Sequence, residues 1–441
     1  MKTKLFGGTA LVATLALALS LTLFAGSSQD EFTAHEWGTF TSVQGADGAQ
    51  LQWNPFLTTD LPAFVYNRAV RNGGLKGAAL TDPFGKINMS GLIRMETPVI
   101  YFYSDRARTA EVRVSFPQGR VTEWYPQATH VGPFHTMDAS EKLHAARSVI
   151  EWKGLKILPR DTKEMSAAKL IRDAKDQGEN HYYAARETDA NFVRMDSPHA
   201  AAPEYERDLF YRGLGNFQAP LTLKLDADEN RLRLSTTDAR PLTDLFVLTI
   251  RHGQARYQKI ARINRGQESA VKLADAPFAP LEKIRPQLMR EMAAALVQQG
   301  LFAKEAQAMV ETWKDQWFAD EGTRVLYLLP GAWTDVTLPL EISPKPSSIV
   351  RVMVGRAEMI TPTMERELQR QVLTYQHGDA GVKLQALKEV RALGLGRFLE
   401  PATRRMTAQN KDQEFTQAAW QVAQEASKET PGETARKLAA F

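Results

Sequence analysis

Cysteine is absent from all 441 residues. Without a thiol the chain can form no disulfide, no thiolate zinc site, no cysteine-held iron–sulfur cluster, no CxxCH haem attachment and no cysteine nucleophile. A surplus of one charge is missing as well. Against 55 Lys and Arg stand 51 Asp and Glu, a formal net charge of +4 spread without a basic block, so nothing argues for nucleic acid as a partner. The familiar catalytic spacings fail: there is no HExxH, no GxSxG, no P-loop and no EF-hand loop. Gly213-Leu214-Gly215 and Gly394-Leu395-Gly396 lack the rest of a dinucleotide fingerprint. No repeat of fixed period and no low-complexity linker divides the chain, and beyond Phe24 no segment approaches the roughly 20 apolar residues of a membrane span.

What is present begins with a leader. Lys2 and Lys4 precede an apolar run from Leu5 to Phe24, and small residues at Ala25 and Ser27 suit the −3 and −1 positions of a signal peptidase. Residues 1–27 therefore read as a signal peptide, with a mature chain starting at Ser28 in the periplasm or outside the cell. The alternative is an uncleaved anchor, which would be the only membrane attachment; both readings export the remainder of the chain.

Residues 28–275 are expected to form a β-rich domain. Val112, Val114 and Phe116 alternate with polar neighbours, and Pro117-Gln118-Gly119 can turn the chain into Arg120 to Tyr125, a first expected hairpin. Leu221, Leu223 and Leu225, a polar turn, then Leu232 and Leu234 make a second. Thr97 to Tyr103 and Leu245 to Ile250 are continuous apolar or aromatic runs of the kind covered on both faces, hence central strands. Ile284, Leu288, Met292 and Leu296, then Ala306, Met309, Val310, Trp313 and Trp317, fall at helical spacing around Gly300, so residues 276–321 should insert a helical hairpin. Strands return over 322–360, at Arg324 to Leu329, Val336 to Ile342 and Ile349 to Val354. Residues 361–441 carry helical stripes broken by glycines and Pro401, which predicts three or four short helices. The fold class is α+β: a large mixed or antiparallel, sandwich-like β body with a helical hairpin inserted and a helical C-terminal subdomain.

Chemistry has three candidate sources. His35-Glu36-Trp37 opens the mature chain, and on a strand His35 and Trp37 share a face while Glu36 points away. His130 and His135 flank Gly132-Pro133, a turn that could bring both imidazoles toward Asp138. His35, His130 and His135 are thus the candidate ligands of a divalent transition metal, with Glu36 or Asp138 as general base. Third, His181-Tyr182-Tyr183 with Arg186, and Tyr211-Arg212, set tyrosine beside arginine in segments that read as strands ending at turns. Arginine takes a carboxylate or phosphate with two prongs while tyrosine stacks or donates a hydrogen bond, so these residues, with Trp37, are the candidate ligand-binding set. Against it stands a plain tyrosine-lined sheet face whose arginines pair with local acids.

The segments His35 to Ser42, Glu123 to Pro126, His181 to Ala190, Phe210 to Gly213 and Arg324 to Pro330 together resemble an uncharacterised family of exported bacterial proteins. The resemblance implies export and carries no activity, cofactor or catalytic residue. Two functions stay open: a cell-envelope binding or structural module recognising a glycan, peptide or protein, and a metal-dependent hydrolase.

Overall fold

The structure, a computed structural model, describes residues 31–54, 61–67, 90–132, 147–163, 165–173 and 180–428. The leader, His135 and Asp138 lie outside the described residues. The body is a ten-stranded sheet. From one edge it runs Ala279–Pro280, Gln254–Ile263, Leu242–Arg251, Gly322–Leu328, Ser348–Ile360, Phe32–Gly45, Ile93–Ser104, Leu209–Gly215, Gly119–Tyr125 and Tyr66–Asn67. Neighbours are antiparallel except at the centre, where Phe32–Gly45 runs parallel to Ser348–Ile360 in register from Thr33/Ser348 to Gly45/Ile360. A second sheet holds Leu340–Ser343, Arg108–Phe116, Ser148–Ile157, Val193–Met195 and Glu204–Glu206, with His130–Gly132 also paired to Ser148–Ile157. A third is the small set Leu221–Leu225, Arg231–Thr236 and Glu268–Lys272.

The expected central strands are central: Ile93–Ser104 is buried along its whole length, as its apolar run requires. The hairpin expected at 112–125 does not form. Arg108–Phe116 pairs with Leu340–Ser343 and Ser148–Ile157, whereas Gly119–Tyr125 crosses to the ten-stranded sheet beside Leu209–Gly215. The crossing is a corner of the sandwich, and Gly119 allows it: a Cβ there would stand 2.2 Å from the Leu214 carbonyl oxygen. The strand expected at 336–342 is also corrected. Pro330 leads into a short helix, Gly331–Thr337, because Trp333 turns inward against Phe40 and Phe217; only Leu340–Ser343 remains a strand.

The inserted helices are α1 (Leu281–Gln298) and α2 (Ala303–Phe318), joined through Gly300 at φ +108. Trp313 and Trp317 stack at 6.3 Å on the buried face of α2 and belong to the main core, where truncating either to Ala would cost about 3–5 kcal/mol. With the short helix as α3, the tail forms α4 (Pro362–His377), α5 (Ala380–Ala392), α6 (Leu399–Ala408) and α7 (Gln413–Ala426). These four close their own core, into which the sheet and the loop after its first long strand contribute Val43, Trp53 and Ile360.

Candidate functional site

The segment His181–Arg186 is a 3-10 helix rather than a strand, because the Asn180 side chain accepts the Tyr182 backbone N–H at 3.0 Å and starts the turn. With three residues per turn, Tyr183 and Arg186 fall on one side. The Tyr101 hydroxyl fixes the turn from the sheet by donating to the Ala185 carbonyl at 2.7 Å. Arg186 then meets the second sheet: its Nε lies 3.1 Å from both Glu206 carboxylate oxygens and its Nη2 2.6 Å from Oε2. Its guanidinium also covers the Tyr183 ring at 4.6 Å and the Phe64 ring at 5.7 Å. Burial works against its charge, but the Glu206 carboxylate holds its pKa above the ordinary arginine value. The third guanidinium nitrogen, Nη1, is buried and has no hydrogen-bond partner among the described residues.

Arg186 lines a cavity of about 40 Å³, walled by Phe64, Tyr125, Tyr182, Tyr183 and Phe210, with Thr97, Glu206 and Asp208 as the rest of its polar lining. Thr97 is unusual. A β-branched residue directly before Pro98, it sits at φ 49, and its buried hydroxyl likewise has no partner among the described residues. Asp208 is 4% exposed and its carboxyl makes no hydrogen bond to a described residue. Burial first, and the adjacent Glu206 charge second, raise its pKa well above the ordinary aspartate value against the pull of Arg186.

Of the seven residues proposed as ligand-binding from sequence, the structure brings Tyr182, Tyr183 and Arg186 to this cavity. Arg212 stands behind it, 5.0 Å from the Tyr182 ring and bonded to the Tyr182 hydroxyl. His181 is turned to α2 instead: its Nδ1 lies 2.7 Å from the Thr312 carbonyl oxygen, an acceptor, so that nitrogen carries the proton. Tyr211 points through the opposite face of its strand to Phe116 and Trp152, as alternation with Arg212 demands. Trp37 is fully buried 6.0 Å from Tyr101 and plugs the core. Six of the lining residues named above, Phe64, Thr97, Tyr125, Glu206, Asp208 and Phe210, are not among the site residues expected from sequence. The one signal for the acids is the cluster Glu204 to Asp208, which reads as an ordinary solvated turn.

Of the metal candidates, the described pair His35 and His130 stand on different sheets. His35 Nδ1 is 2.7 Å from Glu305 Oε2, and Glu305 also accepts from the Tyr103 hydroxyl and the Phe302 backbone N–H, each at 2.8 Å. Glu36, on the other face, accepts from Arg351 Nε at 2.6 Å and from the Tyr211 hydroxyl, which leaves it no freedom as a base. His130 lies exposed in the second sheet. Among the described residues no three His, Asp or Glu side chains are grouped to hold a metal.

No family model matches the chain and no curated protein matches it. Among solved structures, the Fcho1 mu homology domain of Danio rerio with bound Eps15 peptide is similar at 10% identity over 75% of this chain and 98% of that one, with a TM-score of 0.27. The yeast delta-COP-I mu-homology domain complexed with a Dsl1 WxWxV peptide gives 7%, 75%, 96% and 0.24 in the same order. Without the peptide that domain gives 7%, 75%, 97% and 0.26. TM-scores at this level carry no inference about fold or ligand.

Proposed function

We propose that the protein is an exported binding module that takes an uncharged group of a peptide or protein partner into the aromatic cavity beside Arg186. The observation that carries this reading is the set of unspent polar groups in an otherwise aromatic hollow: among the described residues, Arg186 Nη1 and the Thr97 hydroxyl are buried without partners. A buried donor without an acceptor costs about 1–3 kcal/mol, a cost that a ligand oxygen would remove. The charge of Arg186 is already matched by Glu206, so the ligand group need not be ionic. Size separates peptide from glycan. About 40 Å³ admits a few water-sized groups and suits a peptide amide or a short side chain, but not a whole sugar ring.

Panning a random peptide library against the full mature chain, followed by calorimetry of the selected peptides, tests the reading. Arg186→Lys keeps the positive charge beside Glu206 and removes the Nη1 donor; affinity should fall at least about tenfold with the circular dichroism unchanged. A library that yields no binder, or peptides that bind Arg186→Lys as tightly as wild type, would remove it. Export is tested separately, by sequencing the N-terminus of the fractionated protein.

A further inference from the structure

We infer that Asp208 meets the ligand as a neutral acid, giving its O–H to a carbonyl oxygen, and so restricts the cavity to uncharged acceptors such as the peptide amide. The inference rests on the peptide-binding reading and adds which chemistry the site accepts. Its basis is geometric. Asp208 stands two residues from Glu206, both line the same cavity, and the guanidinium there is already engaged with Glu206 through Nε and Nη2. Arg207, between them, turns away: its Nη1 donates to the Ala190 carbonyl at 2.6 Å and its guanidinium lies over Phe192. Besides the charged pair Arg186 and Glu206, the polar groups that share the cavity with Asp208 are the Thr97 hydroxyl and phenols. The Tyr101 hydroxyl on the sheet already donates to the Ala185 carbonyl, and Tyr125, Tyr182 and Tyr183 complete the wall.

An ionised Asp208 would therefore put a second carboxylate into a pocket whose cation, among the described lining residues, is Arg186 alone, an arrangement in which one of two acids keeps its proton. Its raised pKa agrees with that geometry. A protonated carboxyl has one donor to spend, and among the described residues nothing takes it. Together with Arg186 Nη1 it offers a carbonyl oxygen two donors. A ligand carboxylate would bring a second negative group to the pocket beside Glu206, and a ligand ammonium would find Asp208 neutral.

Carbon-13 carboxyl NMR of aspartate-labelled full-length mature protein, with Asp208 assigned through Asp208→Asn, reads the protonation state directly. The Asp208 signal should stay at its protonated position at pH 7. N-methylacetamide should then shift the backbone signals of Tyr183 and Ala185 at pH 7, while acetate and methylammonium at equal concentration leave them in place. Asp208→Asn, which keeps a neutral donor, should bind library-selected peptides within about threefold of wild type, and Asp208→Ala at least about tenfold more weakly. An ionised Asp208 at pH 7, or methylammonium displacing N-methylacetamide, overturns the inference and leaves the peptide reading intact. Selected peptides that bind Asp208→Ala as tightly as wild type overturn it too. Failure of the peptide reading shows elsewhere, as an empty library selection.

Discussion

Glu96 sits on one strand of the large sheet and Asp208 directly before the strand beside it, both buried, and their surroundings move their pKa values in opposite directions. Burial pushes both carboxyls toward the neutral form. At Glu96 that push is overcome by Arg397, which donates from Nη1 at 3.0 Å, and by the charges of Arg94 and Arg212, so its pKa is drawn down to about 2. Asp208 has the Arg186 guanidinium nearby, already spent on Glu206. The ionisation of a buried acid is thus decided by how much positive charge is left over around it, and depth alone decides nothing. The Glu96 site joins the sheet to the helical tail and is built for cohesion, whereas the cavity beside Asp208 keeps Arg186 Nη1 and the Thr97 hydroxyl unpaired among the described residues.

The largest expected effect breaks the first half of that contrast. Arg397→Ala strands the Glu96 carboxylate and should lower unfolding free energy by about 3–5 kcal/mol at pH 7 in urea titrations. A loss under about 1 kcal/mol would mean that the Glu96 cluster is not holding the tail. The same pair gives an acid limb: with a folded pKa below the unfolded one, Glu96 contributes fully above about pH 4.5 and loses that contribution as the pH falls toward 2. Asp208 has the reverse sign. Its proton is kept on folding and released on unfolding, so stability should decline as the pH rises above about 4, by up to about 1.4 kcal/mol per pH unit until the folded group itself titrates. Asp208→Asn should abolish that decline, being more stable than wild type at pH 7 and equal to it near pH 4 in thermal melts. The smallest effect concerns Thr97. Thr97→Gly relieves the positive φ at the cost of chain entropy, for a net gain of about 1 kcal/mol in stability by urea titration, and weakens peptide binding through the lost hydroxyl.

Local pattern carried much of the architecture. Leu221–Leu225 and Arg231–Thr236 pair as alternation and a polar turn require, and α1 and α2 follow their apolar stripes around Gly300. Arg108–Phe116 misled because alternation names a strand and not its partner; the backbone contact at Gly119 that sends the next strand to another sheet is invisible in composition. Tyr182, Tyr183 and Arg186 were legible as a tyrosine–arginine cluster, though the turn that brings them to one cavity was not, since it depends on Asn180 and on a hydroxyl from Tyr101. Asp208 was illegible for a plainer reason. An acid near the end of a strand is usually solvated, and only the cavity around this one makes it unusual.

The parallel contact between Phe32–Gly45 and Ser348–Ile360 bears on how the chain is made. Synthesis delivers Ser348–Ile360 long after Phe32–Gly45, so the earlier strand waits with one rim open to stray pairing. The parallel seam cannot close before Ser348–Ile360 has been made, and the waiting rim gives a holding chaperone something to grip.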